Sequence, residues 1–250
     1  MNKPIVICEN SFQVAWARAI NELRDKGWEA WNLVVQINQP KLFNNDNNIL
    51  LEDFARRNGL ISQKHVAHTI FPQTFFSNGI SRTRLYNKYW RFFNRPRKEA
   101  RHRWGTYFGR MIKYPAPYGT YVDQLGSIID HIKERQKNYK ASHTIIIPSP
   151  YNDMNRTRGA PCLNYITIQP ENAPDPKEPK IINMLAVYRN HDFTERAYGN
   201  YFGLCNLMKY IVNETNSQVG TLTCISSHAC VSAYNSELLH ISNTILENVP

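Results

Sequence analysis

Long apolar runs are missing from this chain: nothing in it approaches the roughly 20 consecutive residues that a bilayer-crossing helix needs. Its opening, MNKPIVICENS, carries a lysine and no apolar core of the kind that marks a secretory leader. Both absences argue against a helical membrane protein and predict a cytoplasmic location. Cysteine is scarce. The five residues Cys8, Cys162, Cys205, Cys224 and Cys230 show no C-x-x-C spacing, which excludes a disulfide framework and the common zinc motifs. They read as reduced thiols, most of them buried, and no metal site is expected. No internal repeat is present. Acidic side chains are outnumbered by basic ones, 20 against 30, leaving a formal net charge of +10.

What is present suits one compact domain over residues 1–250, since 42% hydrophobic and 12% aromatic residues supply a sizeable core. Much of the positive charge lies in residues 82–113, where Arg and Lys alternate with Tyr, Trp and Phe. Such a stretch can neutralise nucleic-acid phosphates and stack bases. The plainer reading is a solvated, partly helical face whose aromatics belong to the core. A third is that some of these cations bind a substrate phosphate.

Along the chain, Phe12, Ala15, Trp16, Ala19, Ile20 and Leu23 recur at helical spacing and Gly27 stops them, predicting an opening helix over residues 11–26. LVVQIN (33–38) reads as a strand, followed by an Asn-rich loop through Asn48 and a helix over 50–57. Residues 62–117 show weak periodicity and are assigned only short helices and loops. Val122, Leu125, Ile128, Ile129 and Ile132 mark a helix ending near Tyr139, and HTIIIP (143–148) a buried strand. LNYITIQ and IINMLAVYRN then pair as a long hairpin, residues 200–212 form a buried helix, and VGTLTCIS a further strand.

Four segments carry the chemistry in order: DQLGSIIDHIKERQKNYKASHTIIIPSPYND, APCLNYITIQ, LAVYRNHDFTERAYGNYFGLCNLMKYI and VGTLTCISSHA. Together they resemble the thymidylate synthase superfamily, in which a D-Q-L helix precedes a strand, a P-C nucleophile follows, and an R-S-x-D strand end precedes a helical Asn. The likeness is nearest to its divergent branch of archaeal-type synthases and pyrimidine nucleotide hydroxymethylases, where R-S-H-D and G-T-L-T are typical. It spans roughly residues 105–232, and Asp192 and Asn200 keep the family's eight-residue separation.

The resemblance implies an α/β fold with a large mixed sheet flanked by helices, and a homodimer paired through its sheets. It also implies folate-dependent methyl or hydroxymethyl transfer to carbon 5 of a pyrimidine nucleotide. Carbon 5 is a poor nucleophile, so a thiolate first adds to carbon 6. Cys162 would supply that thiolate, with a nearby cation expected because a free thiol is mostly protonated at neutral pH. Arg189 is that cation and also a phosphate contact, with Asn190 beside it on the substrate. Asn200 would pair with the polar edge of the base, favouring uracil over cytosine, and Asp192 would hold the pterin of 5,10-methylenetetrahydrofolate.

Departures from the family pattern are as informative. Its paired phosphate-clamp arginines should precede the strand near Ile145, where this chain has Ala141, Ser142, His143 and Thr144; Arg156, Arg158 or the basic stretch are the candidate replacements. Its proton-handling tyrosine becomes Tyr107 by a one-position shift, or Phe108. Glu195 and Arg196 stand where folate would pass. The sugar-binding His and Tyr fall on Cys230 and Ser232, with His228 two residues away as the candidate. Glu52 is the candidate for the glutamate that organises proton transfer, against its plainer reading as an exposed helix carboxylate. These changes also admit an unusual substrate, such as a modified nucleoside or a base within nucleic acid, or a non-catalytic binding protein.

Overall fold

Strand β1 (Val6–Glu9) runs straight into Ser11, whose hydroxyl oxygen accepts the Val14 N–H at 3.1 Å and so caps α1 (Phe12–Asp25). The chain is described here from a computed structural model covering residues 3–93, 104–134, 143–155, 159–175 and 177–248. β2 (Glu29–Ile37) follows. Asn44 then caps α2 (Asn45–Arg57), so the Asn-rich segment read as loop is the first turn of a helix. Ser62 caps α3 (Gln63–Ile70), and α4 (Arg82–Phe93), α5 (Tyr107–Ile112), the ribbon β3 (Tyr114–Pro115) with β4 (Tyr121–Val122), and α6 (Gln124–Glu134) complete the first half. The expected extension of α6 to Tyr139 lies outside the described residues.

The second half supplies β5 (Thr144–Ile146), α7 (Pro150–Asp153), β6 (Leu163–Glu171), β7 (Ile181–Tyr188), β8 (His191–Asp192), α8 (Ala197–Thr215), β9 (Gln218–Cys230) and α9 (Asn235–Glu247). The anticipated hairpin is present, with Ile166 opposite Ala186 in antiparallel register. The sheet is large and mixed, in the order β1-β2-β9-β7-β6-β5 with β8 on β9. β1/β2, β7/β9 and β8/β9 are parallel; the other pairs are antiparallel.

Period-two alternation gives the sheet two unlike faces. Leu33, Val35, Ile145, Ile166, Met184, Ala186, Leu222 and Cys224 are buried beneath helices, chiefly α1 and α8. Residues between them, including Leu185, Val187 and Ile225, are only half-buried, and Ile146 is 51% exposed. The helices thus cover one face and leave the other open. α8 is buried on nearly every side because α3 packs across it, an approach that glycine permits. A Cβ on Gly199 would meet the Val66 Cβ at 2.6 Å, and one on Gly203 the Ala67 carbonyl oxygen at 2.7 Å.

One interruption in the sheet positions the site. β9 is continuous, but its partner ladder lapses after Tyr188, opposite Ser226, and resumes at His191, opposite Ala229. Arg189 and Asn190 are released at that gap, next to the residue that precedes β6.

Candidate active site

The segment leading to Cys162 is anchored by a buried ion pair. Arg110 of α5 forks onto the Asp153 carboxylate, with Nη2 donating to Oδ1 at 3.0 Å, and also donates to the carbonyls of Ile147 and Trp104. Asp153 accepts the Ser149 N–H as well, so every charge in this dry junction has partners. From the other side, the Arg189 N–H donates to the Cys162 carbonyl at 2.9 Å, and its guanidinium donates to the carbonyls of Pro161 and Ala160.

Cys162 opens on a cavity of about 310 Å³ whose wall includes Val66, Thr69, Trp104, Tyr107, Asn190, His191, Asp192, Arg196 and Asn200. Burial pushes the Cys162 thiol up, while the nearby Arg189 guanidinium pulls it down; burial is the larger effect. The expected cation is therefore present, but it does not bring the thiol below its ordinary range. Burial likewise raises the Tyr107 phenol to about 12, with the neighbouring Cys162 adding to the shift.

Deeper in the wall, His191 lies flat on Tyr188, ring centroids 4.1 Å apart and planes within 4°. Its Nδ1 is 2.9 Å from the Ser226 hydroxyl, and its Nε2 is 3.1 Å from Nδ2 of Asn200. Burial lowers its pKa to about 3, so the ring is neutral at physiological pH. Asp192 is fixed through both oxygens, Oδ1 accepting the Thr194 N–H and Oδ2 the Ser232 hydroxyl, each at 2.9 Å. Glu195 and Arg196 pair with each other at 3.7 Å.

Five predicted residues thus share one cavity: Cys162, Tyr107, Asn190, Asp192 and Asn200. Arg189 stands at its rim, where a second cleft of about 790 Å³ begins, lined by Ile146, Pro148, Tyr165 and other residues of the open sheet face. Glu52 and His228 are not in the cavity wall. The Glu52 carboxylate accepts the Lys64 N–H at 2.8 Å, serving the first turn of α3. His228 points to Glu29, 2.7 Å from Nε2, and to the Asn190 side-chain oxygen, and it packs on Trp31, so it touches the site only through Asn190.

His191 and Trp104 were missed. His191 was legible as the third residue of R-N-H-D; Trp104 carried no signal beyond its place in the basic stretch. Part of that stretch is structural: Arg82 forks onto Asp130, and Tyr89 and Phe108 are core. Arg84, Lys88 and Arg91 are exposed, while residues 94–103, Ala141, Ser142, Arg156 and Arg158 lie outside the described residues. Of the five thiols only Cys205 and Cys224 are buried; Cys162 and Cys230 are half-buried and Cys8 is exposed. Among the described residues no group of His, Cys, Asp and Glu could hold a metal ion, and no helix is long and apolar enough to cross a membrane. No protein-family model matches the chain, and no curated protein matches it.

Proposed function

We propose that this protein is a thymidylate synthase-like transferase that moves a one-carbon unit to carbon 5 of a pyrimidine nucleotide. The observation that carries this reading is the meeting of Cys162, Asp192 and Asn200 in the wall of one cavity large enough for a flat ring, with the Arg189 cation near the Cys162 thiol. The Cys162 sulfur would form a bond to ring carbon 6, moving the C5=C6 electron pair into an enolate spread over C5 and O4. Carbon 5 would then take the one-carbon unit as that carbon's bonds to the donor nitrogens break, its own proton would leave to a base, and expulsion of the sulfur would restore the double bond, with a hydride from the folate completing a methyl group or water completing a hydroxymethyl group. Arg189 favours the thiolate, and substrate entry, by excluding the remaining water, strengthens that attraction.

5,10-Methylenetetrahydrofolate suits the residues present and would supply the one-carbon unit. Asp192 keeps accepting capacity on both oxygens for a pterin, and Trp104 offers an aromatic wall. The Glu195–Arg196 pair is mutually neutralised rather than an uncompensated charge. Arg189 retains N–H donors for a phosphate at the rim. A homodimer through the open sheet face, where Val34, Ile225, Val187, Tyr165 and Ile146 form an apolar row, completes the proposal.

Incubation with C5-tritiated pyrimidine nucleotides and methylenetetrahydrofolate tests it. Tritium should be released to water by the wild type and lost from the C162A reaction. Absence of release with every pyrimidine nucleotide, while a known synthase works alongside, would refute the reading.

A further inference from the structure

The contact between His191 and Asn200 bears on which base the cavity accepts. An amide nitrogen donates and cannot accept, so Asn200 Nδ2 at 3.1 Å requires a lone pair on His191 Nε2. A neutral imidazole with that lone pair carries its proton on Nδ1, where the Ser226 oxygen at 2.9 Å receives it. The ring is fully buried, stacked on Tyr188 and met edge-on by Tyr201, so it is held in one orientation. Burial also keeps it neutral. One N–H of the Asn200 amide is thereby committed to His191, leaving its oxygen and second N–H for a ligand.

Those remaining groups match one pyrimidine edge and mismatch the other. Uracil offers an N3–H to the amide oxygen and the O4 oxygen to the amide N–H. Cytosine offers a lone pair at N3 and an amino group at C4, the reverse pattern. Turning the amide to suit cytosine would set its oxygen against the Nε2 lone pair.

We propose that His191 is a positioning residue that selects a uracil-type ring by fixing the orientation of the Asn200 amide. This rests on the transferase reading above. Ser226 belongs to the same device, because it receives the proton that leaves Nε2 free to accept.

The test is the ratio of kcat/KM for tritium release from the 5′-monophosphates of deoxyuridine and deoxycytidine, with methylenetetrahydrofolate. Wild type, His191→Phe, His191→Gln and Ser226→Ala are compared after their folding is checked by thermal melting. The wild type should favour uracil. His191→Phe keeps the aromatic stack without nitrogens, and the ratio should fall about tenfold or more. His191→Gln restores an acceptor for Asn200 Nδ2 and should recover much of it. Ser226→Ala removes the partner of Nδ1–H, favours the other tautomer and should shift preference toward cytosine. A cytosine-preferring wild type, or equal losses on both substrates with the ratio unchanged in the folded variants, would overturn the role of His191 while sparing the transferase reading. A wild type inactive on both, and on every other pyrimidine nucleotide, would overturn the transferase reading itself.

Discussion

Cys162 stands between two opposing influences, burial raising its pKa and the Arg189 guanidinium lowering it. Removing the cation leaves only the weaker pull of Arg196 against burial, so Arg189→Gln should raise the thiol pKa further and slow its alkylation by iodoacetamide at pH 8. A rate profile shifted to lower pH would contradict the contact. His191 makes a second prediction. Its folded pKa, about 3, is below the ordinary 6.5, so the unfolded chain takes up a proton that the folded chain refuses. Its contribution is complete above pH 6.5 and is lost as pH falls toward 3, by on the order of a few kcal/mol. Urea titrations at pH 7 and pH 4.5 should show a smaller pH dependence in His191→Gln than in the wild type. That Cys162, Asp192 and Asn200 converge on one cavity was legible because each sits in a local motif. Glu52 and His228 stand outside the cavity wall, which the sequence did not reveal because their partners, Lys64 and Glu29, are set by tertiary packing; Glu29 lies 199 residues from His228.

At the scale of elements, the close crossing of α3 over α8 shapes the cavity, since Val66 and Thr69 on one helix face Asn200 on the other. Gly199→Ala would force a methyl group against Val66 and the Gln63 carbonyl. It should destabilise the protein by about 1–3 kcal/mol and lower the melting temperature, with a weaker effect on secondary structure seen by circular dichroism. An unchanged melting temperature would mean that α3 yields freely. α1, α6 and α8 were readable from apolar residues at helical spacing, and the β6–β7 hairpin from its alternation. α3, α4 and α5 were harder because they are short or carry many cations and rings, so few positions mark a face. β1 and β8 escaped notice as short strands defined by their partners. α9 was passed over despite Leu238, Ile241 and Ile245 on one side.

For the whole molecule, the sheet's open face leaves apolar side chains short of burial, with Leu185, Val187 and Ile225 half-covered and Ile146 and Tyr165 exposed. If the proposed dimer forms there, sedimentation velocity should find the wild type at twice the 29.1 kDa chain mass. Leu185→Asp, which sets a charge in the proposed contact, should sediment as a monomer. A monomeric wild type would exclude the sheet-paired dimer. The large mixed sheet was expected from the resemblance alone, but which face remained open required the register of all the strands.

In the proposed reaction the sulfur of Cys162 adds to carbon 6 of a pyrimidine. A 5-fluoropyrimidine nucleotide puts at carbon 5 a fluorine that cannot leave as a cation, so an adduct that has accepted the one-carbon unit is trapped. Intact-mass and peptide spectra after incubation with 5-fluorodeoxyuridylate and methylenetetrahydrofolate should show nucleotide and folate added together on the Cys162 peptide, and nothing on C162A. An unmodified Cys162 under conditions that trap a known synthase, or an adduct that survives in C162A, would contradict the account.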